Sequence, residues 1–266
     1  MKIQSGILKH LLIIISAIIV AVPSSVSAQT KKPMNLRNYD NQPYHFGFIL
    51  GYNQMSYSFN YIENYQNIPH ASAENPEHNY SSDDTYYVRS IESKPNPGFT
   101  VGVVGNMRLG RYFDLRFIPS LNFGTRTITY HIYNEDRNLY LENNKSIFST
   151  FVEFPLLVKY KSKRINNVAA YLVGGANTKI DLASQKKWQA LDNNGQEVYK
   201  NIKVNRTDLA AEIGAGFDFY TGYFKFGIEV KMGFGLLNIL DKQNTIYDSS
   251  IENLHNRTFQ VSLTFE

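Results

Sequence analysis

The chain has 266 residues, of which 43% are apolar, 14% aromatic and 19% charged, with 19 Tyr, 17 Phe and a single Trp. It contains no cysteine, which excludes disulfides, thiolate metal sites and a cysteine nucleophile. A mean hydropathy of −0.32 argues against a multi-helix membrane protein. The aromatic excess needs an explanation, because 36 Tyr and Phe are more than one soluble core absorbs easily.

Lys2 and Lys9 precede the apolar run from Leu11 to Val22, and Val26-Ser27-Ala28 offers a small-residue cleavage site. This is the layout of a secretory signal peptide over residues 1–28, and the run is too short to span a bilayer. Its removal lowers the net charge from +4 to +2, so the basicity that might suggest a nucleic-acid partner is largely lost. Residues 29–43, with Pro33 and Pro43, read as a flexible periplasmic lead-in to a barrel domain over 44–266.

Beyond that point period-two alternation dominates. His45–Tyr61 starts with Phe46, Phe48, Leu50 and Tyr52 on one parity and continues with Met55, Tyr57, Phe59 and Tyr61 on the other. A bulge near Asn53 or Gln54 would produce that switch. Phe99–Leu109 and Phe113–Phe123 are cleaner strands, joined by Gly110-Arg111. Val152–Tyr160 follows, then Val168–Leu182, whose Gly174-Gly175-Ala176 leaves its facing open. Leu209–Phe219, Phe224–Phe234 and Phe259–Phe265 complete eight strands. Pro155, lacking an N–H, should mark a break in the ladder.

Short connections alternate with long ones, the long ones spanning roughly 62–96, 134–146, 183–205 and 239–255. That sorting predicts an all-β, eight-stranded antiparallel up-and-down transmembrane β-barrel. Its short turns would be periplasmic, its long loops extracellular and both termini periplasmic, placing the protein in the cell outer membrane. The apolar parity then faces lipid. The opposite parity supplies structural lumen charges: Arg108, Asp114, Arg116, Glu153, Lys159, Glu212, Asp218, Lys225, Glu229 and Lys231. Glu153 is expected beside Arg116 or Lys159.

Eight strands leave a bore only wide enough for side chains, so a conducting pore is set aside. His131, Ser149 and Asp181 lie near outer strand ends, but no spacing ties them into a nucleophile and base. His70 and His78 lack a third ligand at a telling spacing. No catalytic, cofactor or metal site is therefore expected, and the partners are outer-membrane lipid and other proteins rather than nucleic acid or a small substrate.

The runs Thr150-Phe151-Val152-Glu153-Phe154-Pro155-Leu156-Leu157-Val158-Lys159-Tyr160 and Glu212-Ile213-Gly214-Ala215-Gly216-Phe217-Asp218-Phe219 resemble the PorT-like outer-membrane β-barrel family of the Bacteroidota, as does Phe46-Gly47-Phe48-Ile49-Leu50-Gly51-Tyr52-Asn53. The resemblance covers about 45–266. It implies an accessory, non-enzymatic component of the type IX protein secretion system, which exports surface proteins and in many species supports gliding motility. No catalytic residue or cofactor comes with it. A structural or adhesion barrel, or a lipid-modifying enzyme, are the alternative readings.

Overall fold

The alternating runs are strands, and most continue well past the point where their apolar pattern changes. The computed structural model describes residues 33–71, 84–183, 189–191, 197–199, 202–243 and 245–266. The expected signal peptide and His78 lie outside the described residues. Asn35–Glu266 forms one unit.

Its strands are β1 (Tyr44–Tyr61), β2 (His70–Ala71), β3 (Thr85–Arg108), β4 (Phe113–Phe117), β5 (Ser120–Asn134), β6 (Leu139–Lys161), β7 (Val168–Asp181), β8 (Gln189–Leu191), β9 (Glu197–Tyr199), β10 (Thr207–Tyr220), β11 (Lys225–Gly235) and β12 (Ile251–Phe265). The long strands pair antiparallel with their sequence neighbours, and β12 returns to β1, closing an eight-stave up-and-down barrel. β4 and β5 make one stave, interrupted at Ile118-Pro119. β8 and β9 form a separate small hairpin.

The interruption lies where Pro155 falls. β6 itself runs unbroken, but Pro155 stands opposite Ile118, between the Phe117↔Leu156 and Ser120↔Glu153 pairs. Ile118 N donates to Pro155 O at 3.2 Å, and proline has no N–H to return. On the other side Val103 N donates to Pro119 O at 3.0 Å, again without a return bond. Two missing donors at adjacent positions explain why the ladder lapses in the neighbouring stave rather than in β6.

The expected bulge near Asn53 is absent. β1 pairs with β12 without a shift from Phe48↔Phe265 to Asn60↔Asn253, so the pleat keeps one phase throughout. Ile49, Asn53, Met55 and Tyr57 all point inward and are buried, whereas Phe46, Phe48, Leu50 and Tyr52 all point outward. The apolar residues change side because the surroundings change. Up to Tyr52 the outside is an apolar belt that suits lipid; above it the outside is polar and the interior becomes the hydrophobic core. The shifts in this wall lie instead on β3, at Val88/Ser90 and Pro95/Phe99.

The molecule therefore has two storeys. In the lower one exposed aromatic and aliphatic side chains, with Phe46 at 73% exposure, ring a charged interior. In the upper one Tyr86, Val88, Ile91, Ile128, Tyr130 and Ile132 point inward from β3 and β5. They pack against Ile202, Val204, Ile239, Leu240, Ile246 and Tyr247 from the connections before β10 and before β12. Tyr130 OH donates to Tyr247 O at 2.8 Å inside this core, and burial raises its hydroxyl well above the ordinary tyrosine value.

Long connections are accordingly shorter than the sequence suggests. The 134–146 segment is mostly strand, closed by the turn 135–138 with Asn138 at φ 51°. Residues 85–96 of the expected 62–96 connection are the upper part of β3. Apolar residues facing inward from an otherwise polar run hide these strands from a search for lipid-facing alternation.

The short turns 109–112, 162–167 and 221–224 share one end with residues 35–43, which are not a free lead-in. Asn35 N donates to Asn167 Oδ1 at 2.9 Å, Arg164 Nη2 bonds Asn35 O, and Tyr220 OH donates to Asp40 Oδ1 at 2.8 Å. Tyr39 stacks on His45 with ring centroids 3.9 Å apart, and its OH donates to Glu266 Oε2 at 3.5 Å. This segment lies across the mouth of the barrel. Desolvation there raises the Tyr39 hydroxyl above its usual value against the opposing pull of Lys225.

The boundary between storeys is testable on one strand. Val158 (45% exposed) and Ser146 both point outward on β6, one in the lower and one in the upper storey. Val158→Arg should cost roughly 2–4 kcal/mol in the bilayer, whereas Ser146→Arg should cost close to nothing. Urea unfolding of the two variants in lipid vesicles measures the difference.

Candidate functional site

Ionisable groups are concentrated in the bore itself. Because successive β-strand side chains alternate between faces, each stave puts every second residue inside, and the lower storey fills these positions with both signs of charge.

At the short-turn end Arg116 Nη1 donates to Glu229 Oε2 at 2.5 Å and its Nη2 lies 3.5 Å from Glu266 Oε1, all three side chains fully buried. Lys159 Nζ meets Asp218 Oδ2 at 2.7 Å and sits 3.7 Å from the Tyr171 ring centroid. Lys225 bridges Glu266 at 2.6 Å and Asp218 at 4.0 Å. Tyr171 OH donates to Glu229 at 3.1 Å. Its ring fits because Gly216 faces it; a Cβ there would lie 2.5 Å from the phenol oxygen. Asp114 pairs with Lys161 at 2.9 Å.

A second tier lies higher. Lys179 Nζ is 3.0 Å from Glu153 and 4.0 Å from Glu212, and Lys231 meets Glu212 at 2.7 Å. Asn177 donates to both carboxylates, at 2.9 and 2.6 Å. The third tier is Arg126, which bonds Asp181 at 2.6 Å, Ser149 and Asn256 Oδ1, with Asn256 passing on to Asp208 at 2.8 Å. Its guanidinium lies over the Tyr57 and Phe151 rings, at the floor of the apolar storey. An apolar patch of Ile49, Val104, Ile118, Leu157 and Val173 covers the remaining wall.

Nine of the ten charges singled out in the sequence lie in these tiers. Arg108 does not: it is half-buried at the rim and donates to Gly110 O at 3.0 Å and Asn41 Oδ1 at 3.5 Å. Glu153 sits beside Lys179, not beside Arg116 or Lys159, because the β6–β7 register pairs Glu153 with Lys179 directly. The lumen charges named from the sequence leave out Glu266, Lys161, Lys179, Asp181, Asp208 and Arg126. Lys179 and Asp181 share the alternation of Asn177, and the glycine pair before it left that parity unassigned. Arg126 lies past the end of the recognisable lipid-facing pattern.

The candidates for lipid chemistry do not converge. His131 points to the outer face of β5, between inward Tyr130 and Ile132, whereas Ser149 and Asp181 are both bound to Arg126 inside. Among the described residues no group of three His, Cys, Asp or Glu is placed to hold a metal ion. What the arrangement does chemically is fill the bore with mutually neutralising ions whose desolvation is offset by pairing and hydrogen bonds. An eight-stave barrel so filled has no room for a solute path.

A closed, lipid-belted antiparallel barrel with an ionic core defines an outer-membrane β-barrel protein. The chain belongs to the outer membrane protein beta-barrel domain family, whose model matches residues 27–241. Among solved structures it is similar to OprG of Pseudomonas aeruginosa (10% identity, covering 84% of this chain and 95% of that one, TM-score 0.42). It is also similar to the attachment invasion locus protein Ail of Yersinia pestis in complex with the heparin analogue sucrose octasulfate (12%, 84% and 98%, 0.35) and to Neisserial surface protein A (11%, 84% and 99%, 0.35). At 10–12% identity these likenesses concern the fold alone. No curated protein matches this chain.

Removing one member of a buried ion set leaves its partners charged and unpaired. Arg116→Met should lower stability by about 3–5 kcal/mol, because Glu229 and Glu266 both lose it. Glu153→Ala should cost less, since Lys179 keeps Glu212 nearby. Heat-modifiable gel migration should show both variants converting to the unfolded band at lower temperature than the parent, with Arg116→Met converting first.

Proposed function

We propose that this chain is a non-enzymatic assembly component of the outer-membrane type IX protein secretion apparatus. In this reading residues 1–28 are a cleaved signal peptide, both termini and the short turns face the periplasm, and the apolar-cored storey stands outside the cell. The family resemblance of the β1, β6 and β10 sequences, nearest to PorT, supports the choice of apparatus. The runs Phe113–Leu121 and Phe224–Lys231 add to that likeness.

The observation that carries an assembly role is an open strand edge. Leu139–Ser149 of β6 pairs with β5 on one side, whereas pairing with β7 begins only at Phe151↔Asp181, with Leu182 N bonding Thr150 O. Among the described residues nothing pairs with the other side of Leu139–Ser149. An unpaired edge is a template for a further strand. A second copy inserted the same way up would run parallel to β6, so the antiparallel pairing used throughout this barrel points to a strand from a different protein. The filled bore favours the same role, because it leaves neither a channel nor a catalytic cleft.

A structural or adhesion role is favoured by one feature of the same storey. Arg89 lies 5.2 Å from the centroids of both Tyr87 and Tyr133 on the outer wall, and Tyr140, next in the row, is 71% exposed. Deleting the gene separates the readings. The secretion role requires loss of surface delivery of cargo bearing C-terminal sorting domains; intact delivery would leave the structural or adhesion role. Orientation is tested independently with single cysteines in this cysteine-free chain. Ser146→Cys should react with a membrane-impermeant maleimide on whole cells, and Tyr223→Cys, 95% exposed at a short turn, only after permeabilisation.

A further inference from the structure

The outer wall over β6, β7, β10 and β11 is not a smooth apolar cylinder. Pairs across it place Tyr160 beside Leu172, Leu172 beside Ala215 and Ala215 beside Val230 in one row. The next row toward the short turns holds Ala170, Phe217 and Ile228. Ala170 and Ala215 are the small members of a diagonal framed by large ones. The result is a groove of about 530 Å3, almost wholly apolar, whose lower end is Ser162 at the β6–β7 turn.

Ser162 also borders a second hollow. Around a space of about 130 Å3 stand Arg111 and Tyr112 of the β3–β4 turn, Lys161 at the end of β6, Lys163 and Arg164 of the β6–β7 turn, and, from the covered mouth of the bore, Asp40 and Tyr220. At ~30 Å3 per water in the liquid, that space takes a tetrahedral anion group. Four cations stand there with the Asp40 carboxylate, and one of them, Lys161, is already paired with Asp114 at 2.9 Å. Asp40 is already engaged by Tyr220 OH at 2.8 Å and lies 3.7 Å from Lys161. Arg164 is held by Asn35 O, Asn166 O and Asn167 Oδ1. Arg111 and Lys163 make no ion pair with the described residues, so the hollow keeps an unbalanced positive charge.

We infer that the groove and the basic hollow form a single glycerophospholipid site. An acyl chain lies over Ala170 and Ala215, and the headgroup phosphate sits between Arg111 and Lys163. The two parts meet at Ser162, and their order along the wall is that of a lipid: apolar in the belt, anionic at the turn level. An acidic soluble protein would meet the hollow but not the groove. The choice of a glycerophospholipid over a lipopolysaccharide rests on the orientation proposed above, which puts the short turns in the inner leaflet.

The test uses the full-length mature barrel, released in mild detergent and titrated with dioleoyl phosphatidylglycerol under native mass spectrometry. The parent should retain one lipid after the annular lipids are stripped. The charge variant Arg111→Glu/Lys163→Glu should bind at least about 25-fold more weakly, the two lost cations each counting for about a factor of five at a lipid surface. The groove-filling variant Ala170→Leu/Ala215→Leu should lose the bound lipid while keeping every cation. Lys94→Glu, which makes a like change of sign in the upper storey beside Glu142, should bind as the parent does. All four proteins should show the same heat-modifiable migration, since Ala170, Ala215 and Lys94 are on the outer face and Arg111 and Lys163 are turn residues that make no ion pair with the described residues.

Equal retention by the parent, the charge variant and the groove variant would overturn the site and reduce the groove to ordinary annular contact. Co-purified lipopolysaccharide displaced by the same two variants would overturn the glycerophospholipid assignment. In that case Tyr223→Cys should also label on intact cells. Labelling only after permeabilisation would leave the orientation standing while the lipid assignment falls.

Discussion

A pleated strand has one alternation and cannot change phase without a bulge. In this barrel staves such as β1 pass through a lipid belt and continue beyond it without a shift, so the two faces of the pleat must satisfy opposite demands at different heights. Where lipid is outside, the outward parity is Phe, Leu, Val and Tyr, and the inward parity is left for charge. Where water is outside, the hydrophobic residues move to the inward parity and build a conventional core. β1 shows the exchange most directly, with Tyr52 outward and Met55 and Tyr57 inward on an unshifted ladder.

The ionic core follows from that constraint together with the bore of an eight-stave barrel. Side chains that point inward in the lower storey have no solvent to reach, so each charge must find its counter-ion across the bore or along the next stave. Arg116–Glu229, Lys159–Asp218 and Arg126–Asp181 join staves that share no backbone ladder, and Lys231–Glu212 joins the neighbours β11 and β10. These pairs tie the barrel transversely, while backbone ladders tie it around the circumference. Closure at both ends has different chemistry: residues 35–43 cover the short-turn mouth with polar contacts, and the Tyr130–Tyr247 core closes the other end with apolar ones.

A bore closed in this way leaves the outer surfaces to carry function. The edge of β6 that is unpaired among the described residues and the aromatic row around Arg89 belong to the upper storey, where the proposed reading places macromolecular partners. The Ala170–Ala215 groove belongs to the lipid belt and suits a lipid. Each is a local departure from the plain wall: an unpaired ladder in one case, and two missing side chains beside unneutralised cations in the other.

The closed barrel, its eight staves and nine of its interior charges were readable from alternation, because in lipid the outward parity must be apolar and leaves a two-residue signature; the sorting of connections was not, since the 134–146 connection is closed by a turn of four residues. The proline-bearing segment was readable too, although the lapse it causes falls in the partner stave. Other features were decided only by tertiary structure. The upper strands hid within apparent loops, since apolar residues facing inward from a polar run look like ordinary soluble sequence. The partners of Glu153, and the roles of Arg126, Lys179 and Glu266, depend on register and stagger between staves. No single strand encodes these, because pairing offsets arise from how eight strands close on one another.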